Sequence, residues 1–156
     1  MTKVAVGKKI PAFSAQATGG ALIASKELVG EPFVLYFYPR DDTPGCTLEG
    51  QAFRDSHTKF RKLKVRVLGV SRDTLTAHEK FKAKFAFPFE LVSDPDEKLC
   101  GLFDVMRDKN MYGKKVRGIE RSTFLFDANG TLRREWRKVT VKGHVDDVLK
   151  AAGDLA

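Results

Sequence analysis

Six consecutive apolar or aromatic residues, Phe33-Val34-Leu35-Tyr36-Phe37-Tyr38, leave this chain no polar face at that point. A strand of that composition has to be covered on both sides, so it belongs in the middle of a sheet with helices above and below. Pro39 ends it, because proline has no amide hydrogen to give a ladder. Asp41 to Gly45 read as a turn. Thr43-Pro44 reads as an N-cap followed by the first helical residue, where a missing N–H costs nothing. Cys46 then falls in the first turn of a new helix.

That placement has chemical meaning. Free amides and the helix dipole favour negative charge at a helix N-terminus. A thiol held there is biased towards thiolate, which is the nucleophilic form. The bland alternative is a small buried apolar residue; strand-turn-helix placement favours the reactive one.

Elsewhere the apolar pattern sets out an α/β order. Phe13 to Ala17 and Ala21 to Ser25 read as short strands across a Thr18-Gly19-Gly20 turn, with Ser25 opening a helical turn through Leu28. The helix after Thr43 is expected to run to about Leu63, its stripe carried by Leu48, Ala52, Phe53, Phe60 and Leu63. Val65 to Val70 is the next buried strand. Asp73 is expected to cap a helix whose Leu75, His78, Phe81 and Phe85 share a face, with His78 as a packing histidine. Phe89 to Ser93 is a strand, and Asp94-Pro95-Asp96-Glu97 looks like a capped helix start with proline at its first position. Met106 to Glu120 reads as a polar loop. Ser122–Phe126 and Thr131–Trp136 form a hairpin across Asn129-Gly130, and a last helix follows Gly143-His144, with Val145, Val148, Leu149 and Ala152 inside. One domain spanning 1–156 is expected.

Pro39-x-x-x-Thr43-x-x-Cys46 resembles the active-site signature of the peroxiredoxins. The longer string Tyr38-Pro39…Thr43-Pro44-Gly45-Cys46-Thr47 is similar to the peroxiredoxin Q branch, also called bacterioferritin comigratory protein. Supporting matches are Pro11-x-Phe13, Ser93-Asp94-Pro95, Met111-Tyr112-Gly113-Lys114 and Arg121-Ser122-Thr123-Phe124-Leu125. The resemblance covers nearly the whole chain. It implies a thioredoxin-like α/β fold with the peroxiredoxin N-terminal hairpin and a central mixed sheet flanked by helices.

It also implies a thiol-dependent peroxidase, reducing hydrogen peroxide and organic hydroperoxides to water or alcohols through a Cys46 sulfenic acid. By resemblance, Arg121 is the active-site arginine, the Thr43 hydroxyl bonds peroxide and sulfur, and Pro39 shields the site. Taken alone, these are a strand-end charge, an N-cap and a strand terminator. Electrostatics makes one arginine plus the helix terminus sufficient in principle: a guanidinium about 4 Å from a thiolate contributes about 4 kcal/mol at an effective dielectric of 20, against which desolvation of the thiolate works. Amides near Gly45 and Cys46 suit a developing oxyanion. Glu49, one turn beyond Cys46, is placed either to orient an arginine or simply to face solvent. No metal, haem, flavin or other cofactor is called for.

The chain departs from the family in its second thiol. Many members carry a resolving cysteine five residues after the first, where Gln51 stands here, or on the next helix, where Phe81-Lys82-Ala83-Lys84 stand. Cys100, among Leu99, Leu102 and Phe103, has the setting of a packing residue. A one-cysteine cycle is therefore expected, with thioredoxin or glutathione and glutaredoxin as reductant; a two-cysteine cycle through Cys100 is the alternative. A thiol-disulfide oxidoreductase would need Cys-x-x-Cys, and Glu49 stands where its second cysteine would be.

Two cysteines and three scattered histidines give neither a disulfide scaffold nor a zinc pattern. The net charge of +8 is spread along the chain and reads as solvated faces. A basic nucleic-acid-binding protein or holdase is the competing class, and it would not need Pro39, Thr43, Cys46 and Arg121 together. No nucleic acid or membrane partner is expected. With no membrane-length apolar run and no signal-like N-terminus, a cytoplasmic, monomeric protein is the expectation.

Overall fold

A computed structural model describes residues 4–155; the start of the basic N-terminal stretch lies outside them. The chain begins with an antiparallel pair, β1 (Ser14–Gln16) and β2 (Leu22–Ala24), joined by a 3-10 turn at Thr18–Gly20 and followed by the short α1 (Ser25–Leu28). The apolar run becomes β3 (Phe33–Phe37), buried at all five positions. Two helices, α2 (Pro44–Asp55) and α3 (His57–Lys62), then lead into β4 (Arg66–Ser71). Next come α4 (Leu75–Phe85), β5 (Leu91–Ser93) and α5 (Lys98–Leu102). A long hairpin, β6 (Met106–Met111) and β7 (Lys114–Ile119), precedes β8 (Ser122–Phe126), β9 (Leu132–Trp136) and α6 (His144–Gly153).

The main sheet runs β5-β4-β3-β8-β9, mixed in direction. β3 pairs parallel with β4 and antiparallel with β8, so it occupies the centre, as an all-apolar strand must. Its alternation divides the core. Phe33, Leu35 and Phe37 join one cluster with Leu99, Cys100, Phe103 and Phe124. Val34, Tyr36 and Tyr38 join the other with Cys46, Phe53, Phe60, Phe81 and Val148. This is the thioredoxin-like arrangement, a central mixed sheet flanked by helices with a small hairpin added at the N-terminal end.

Several local expectations give way to tertiary context. The helix expected from Thr43 to Leu63 is broken at Ser56, whose φ of −97° and ψ of 1° are not helical. The break still lets Phe60 contact Phe53, with ring centroids 5.9 Å apart. Thr74, not Asp73, caps α4, accepting from the Ala77 amide at 3.2 Å. Asp73 turns instead towards the Asp41 amide and the Ser71 hydroxyl.

Pro95 is not the first residue of α5. Glu97 takes a left-handed φ of 60° and the helix begins at Lys98. Its end is held by the Asp94 carboxylate, which accepts from the Leu99 and Cys100 amides at 3.1 and 2.8 Å. Residues 106–119 are no loop but a two-stranded ribbon in full register.

Gly50 is required by packing. A Cβ there would stand 2.5 Å from Phe87 Cζ, and that ring is buried against Phe81 and Phe89. Gly50→Ala is expected to lower stability by about 1–3 kcal/mol, overriding its better helix propensity. Urea denaturation followed by circular dichroism measures it.

Candidate active site

Sheet topology brings the key groups together. β8 pairs with β3 so that Ser122 lies opposite Phe37, the last residue of β3. Arg121, just before β8, is therefore set at the end of β3 from which the 39–43 loop departs. In the first turn of α2, Pro44 has no N–H and Thr43 makes no side-chain cap. The amides of Gly45 and Cys46 are left without intrahelical partners, as at any helix start.

Arg121 Nη2 donates to Cys46 Sγ at 3.5 Å, and Nη1 donates to Glu49 Oε1 at 2.7 Å. The site is nearly dry: Cys46 is 2% exposed and Glu49 is fully buried, while the Arg121 side chain keeps 15% of its surface. Gly45 makes this approach possible, because a Cβ there would stand 3.0 Å from Arg121 Nη2. The backbone behind the arginine is also held, the Val139 amide donating to the Arg121 carbonyl at 3.0 Å.

One guanidinium thus faces two acids. Burial pushes the Glu49 carboxyl up to about 7, against the pull of Arg121. Its other oxygen, Oε2, is buried with no hydrogen-bond partner. A neutral carboxylic acid is at home in such a place, and a carboxylate is not. Below that value Glu49 is neutral and the arginine's charge is free to serve the sulfur. Glu49 is not a solvated helix carboxylate, which was one of its two readings.

Thr43 occupies the N-cap position with extended backbone, but its hydroxyl donates to the Arg40 carbonyl at 2.8 Å rather than accepting from the helix. Its lone pairs are not used by the helix end. Pro39 is half-buried where β3 gives way to the loop. Beside this turn lies a depression of about 450 Å³ lined by Asp42, Thr43, Pro44, Thr47, Leu48 and Phe85.

Cys100 is set apart from this group. It is fully buried in the cluster on the opposite face of the sheet from Cys46. Burial pushes its thiol up, and Asp94 adds to the effect, so it remains protonated. The positions where the family carries a resolving cysteine are otherwise employed: Lys82 pairs with Glu90, and Lys84 with Asp42 at 2.8 Å.

One group of residues had no clear signal in the sequence. His78 is not merely packed. Its Nδ1 lies 2.6 Å from Asp41 Oδ2 and its Nε2 2.9 Å from the Val92 carbonyl oxygen. Tyr38 donates to Asp41 Oδ1 at 2.7 Å. A histidine on an apolar stripe, together with acids in the turn before Cys46, was the only hint.

The sequence matches the AhpC/TSA family over residues 6–135. It is 52% identical to peroxiredoxin Bcp of Xanthomonas campestris over 134 residues, covering 86% of this chain and 84% of that protein. It is 44% identical to peroxiredoxin Bcp of Bacillus subtilis, covering 98% of each. A structure from a study of alkyl peroxide reduction by X. campestris bacterioferritin comigratory protein superposes with a TM-score of 0.87 at 48% identity, covering 91% of this chain and 90% of that one. A cysteine-to-serine mutant of Xylella fastidiosa PrxQ reaches 0.92 at 37% identity, covering 99% and 98%.

Glu49 holds its proton up to about pH 7 in the folded protein, against its usual 4.5 when unfolded. The folded state therefore binds more protons between those values, and stability falls as pH rises through them. Glu49→Gln is expected to remove that contribution. Urea melts at about pH 5 and about pH 8 are expected to show the wild type losing about 2 kcal/mol more than the variant.

Proposed function

Because the chain belongs to the AhpC/TSA family, as a thiol-dependent peroxidase of the peroxiredoxin Bcp and Q kind, we propose that Cys46 is the sulfur that attacks the peroxide. The observation that carries this is the Arg121 guanidinium donating to the buried Cys46 Sγ. A thiolate accepts such a bond better than a thiol does. Thiolate sulfur attacks one peroxide oxygen and the O–O bond breaks. The departing alkoxide or hydroxide takes a proton, giving alcohol or water, and Cys46 becomes a sulfenic acid.

Arg121 and the Gly45 and Cys46 amides are the donors placed for charge that develops on oxygen. Thr43, whose hydroxyl already donates to Arg40, accepts from the incoming peroxide hydrogen with a free lone pair. Pro39 narrows the loop. Glu49 holds the guanidinium flat against the sulfur. Hydrogen peroxide fits such a site, and the depression lined by Pro44, Leu48 and Phe85 suits the tail of an organic hydroperoxide.

The peroxidase draws its electrons from a thiol. We take that thiol to be external, in a one-cysteine cycle. Support comes from the sheet between the two cysteines and from the protonated state of Cys100. The external thiol attacks the Cys46 sulfenic sulfur and water leaves. A second thiol then cleaves the mixed disulfide and frees Cys46. Thioredoxin, or glutathione with glutaredoxin, is the reductant, in a monomeric, single-domain cytoplasmic protein. Among the described residues no helix is long and apolar enough to cross a membrane.

Peroxide consumption with each reducing system tests this. Cys46→Ser is expected to abolish turnover and Cys100→Ser to leave it within about twofold of wild type. A 46–100 disulfide in high yield by mass spectrometry after one equivalent of peroxide would overturn the one-cysteine cycle. Failure of Cys46→Ser to stop turnover would overturn the assignment of the sulfur.

A further inference from the structure

The loop from Pro39 to Thr43 carries no strand pairing of its own, and Asp41 is its buried anchor. The Asp41 side chain is 6% exposed and His78 is fully buried. Tyr38 at the end of β3 donates to Asp41 Oδ1 at 2.7 Å. The Asp41 amide donates to Asp73 Oδ2 at 2.9 Å, and Ser71 donates to that same oxygen. On the adjoining residue, Asp42 pairs with Lys84 of α4 at 2.8 Å. The loop is therefore tied to β3, to the β4–α4 turn and to α4.

His78 completes the arrangement. The Val92 carbonyl can only accept, so Nε2 carries a hydrogen. Nδ1 faces Asp41 Oδ2 at 2.6 Å, so one proton is shared between ring and carboxyl. The imidazole thus links the loop before Cys46 to β5 across the sheet edge. A buried pair of this kind contributes little net stability compared with apolar residues of the same volume. It does fix geometry, because breaking it leaves a buried polar group unpaired.

We propose that His78 is a positioning residue: with Asp41 it latches the 39–43 loop in the peroxide-reactive arrangement, and this latch opposes access of a bulky thiol to oxidised Cys46. The proposal rests on the reading that Cys46 is the peroxidatic sulfur and the reductant external. It follows from two facts in combination. Cys46 is 2% exposed, which a peroxide tolerates and a large thiol does not. The helix that carries it starts directly from this loop, whose side-chain ties meet at Asp41.

The two half-reactions should then respond in opposite directions. In His78→Gln the side chain cannot serve both Asp41 and Val92, and in Asp41→Ala both His78 Nδ1 and the Tyr38 hydroxyl lose their partner. Single-turnover oxidation by hydrogen peroxide is expected to slow about tenfold in both variants. Reaction of the resulting sulfenic acid with thionitrobenzoate is expected to quicken about threefold. Mass spectrometry locates the oxidised residue in each protein.

If Cys46 is the oxidised residue and the two rates fall together or do not change, the latch is wrong although the peroxidase reading stands. If oxidation maps elsewhere in the wild type, the peroxidase reading fails first. Should His78→Gln not fold, Asp41→Ala alone decides, since opposite shifts support the latch and parallel or absent shifts overturn it.

Discussion

One guanidinium placed against two buried acids sets the terms for everything around it. Arg121 stands 2.7 Å from the Glu49 carboxyl and 3.5 Å from the Cys46 sulfur, and burial weakens the acid's claim on it by raising the Glu49 carboxyl to about 7. Other features make that contact possible. β8 must begin opposite the end of β3, Gly45 must lack a side chain, and Val139 must hold the arginine's backbone. None of these is chemistry in itself. Each fixes where one positive charge stands.

The elements with the strongest local signal were legible in the chain. β3 announced itself by lacking any polar position, and a helix start at Thr43-Pro44 follows from the chemistry of proline alone. Cys46 and Arg121 could be paired because a motif related them, not because anything local did; they are 75 residues apart. What stayed hidden was decided by partners far along the chain. Asp94 holds the start of α5 from four residues ahead of the helix, so a capping pattern read from neighbours misplaced it. Thr43 bonds backwards to Arg40. His78 looks apolar by position, yet its partners are Asp41 and Val92.

The ribbon β6–β7 was missed for a different reason. A half-buried strand alternates apolar and polar residues, but this ribbon is exposed on both faces over most of its length, so alternation never arises. Its backbone register alone gives it form. Central and peripheral strands therefore leave opposite marks on a sequence. The first lacks polar positions and the second carries its few apolar residues without alternation, and only strands lying between these extremes show the usual period of two.

That ribbon is fastened mainly at its root. The Glu120 amide donates to the Val105 carbonyl at 2.7 Å, Arg117 pairs with Glu97 at 2.7 Å, and Tyr112 at the tip is fully exposed. Its outer turn adds nothing to either core cluster. For a protein engineer this is a handle. A peptide tag or a surface-attachment sequence spliced between Tyr112 and Gly113 extends an arm already surrounded by water. Cys46, buried at the start of α2 in the other core cluster from the ribbon's root, would not register the graft.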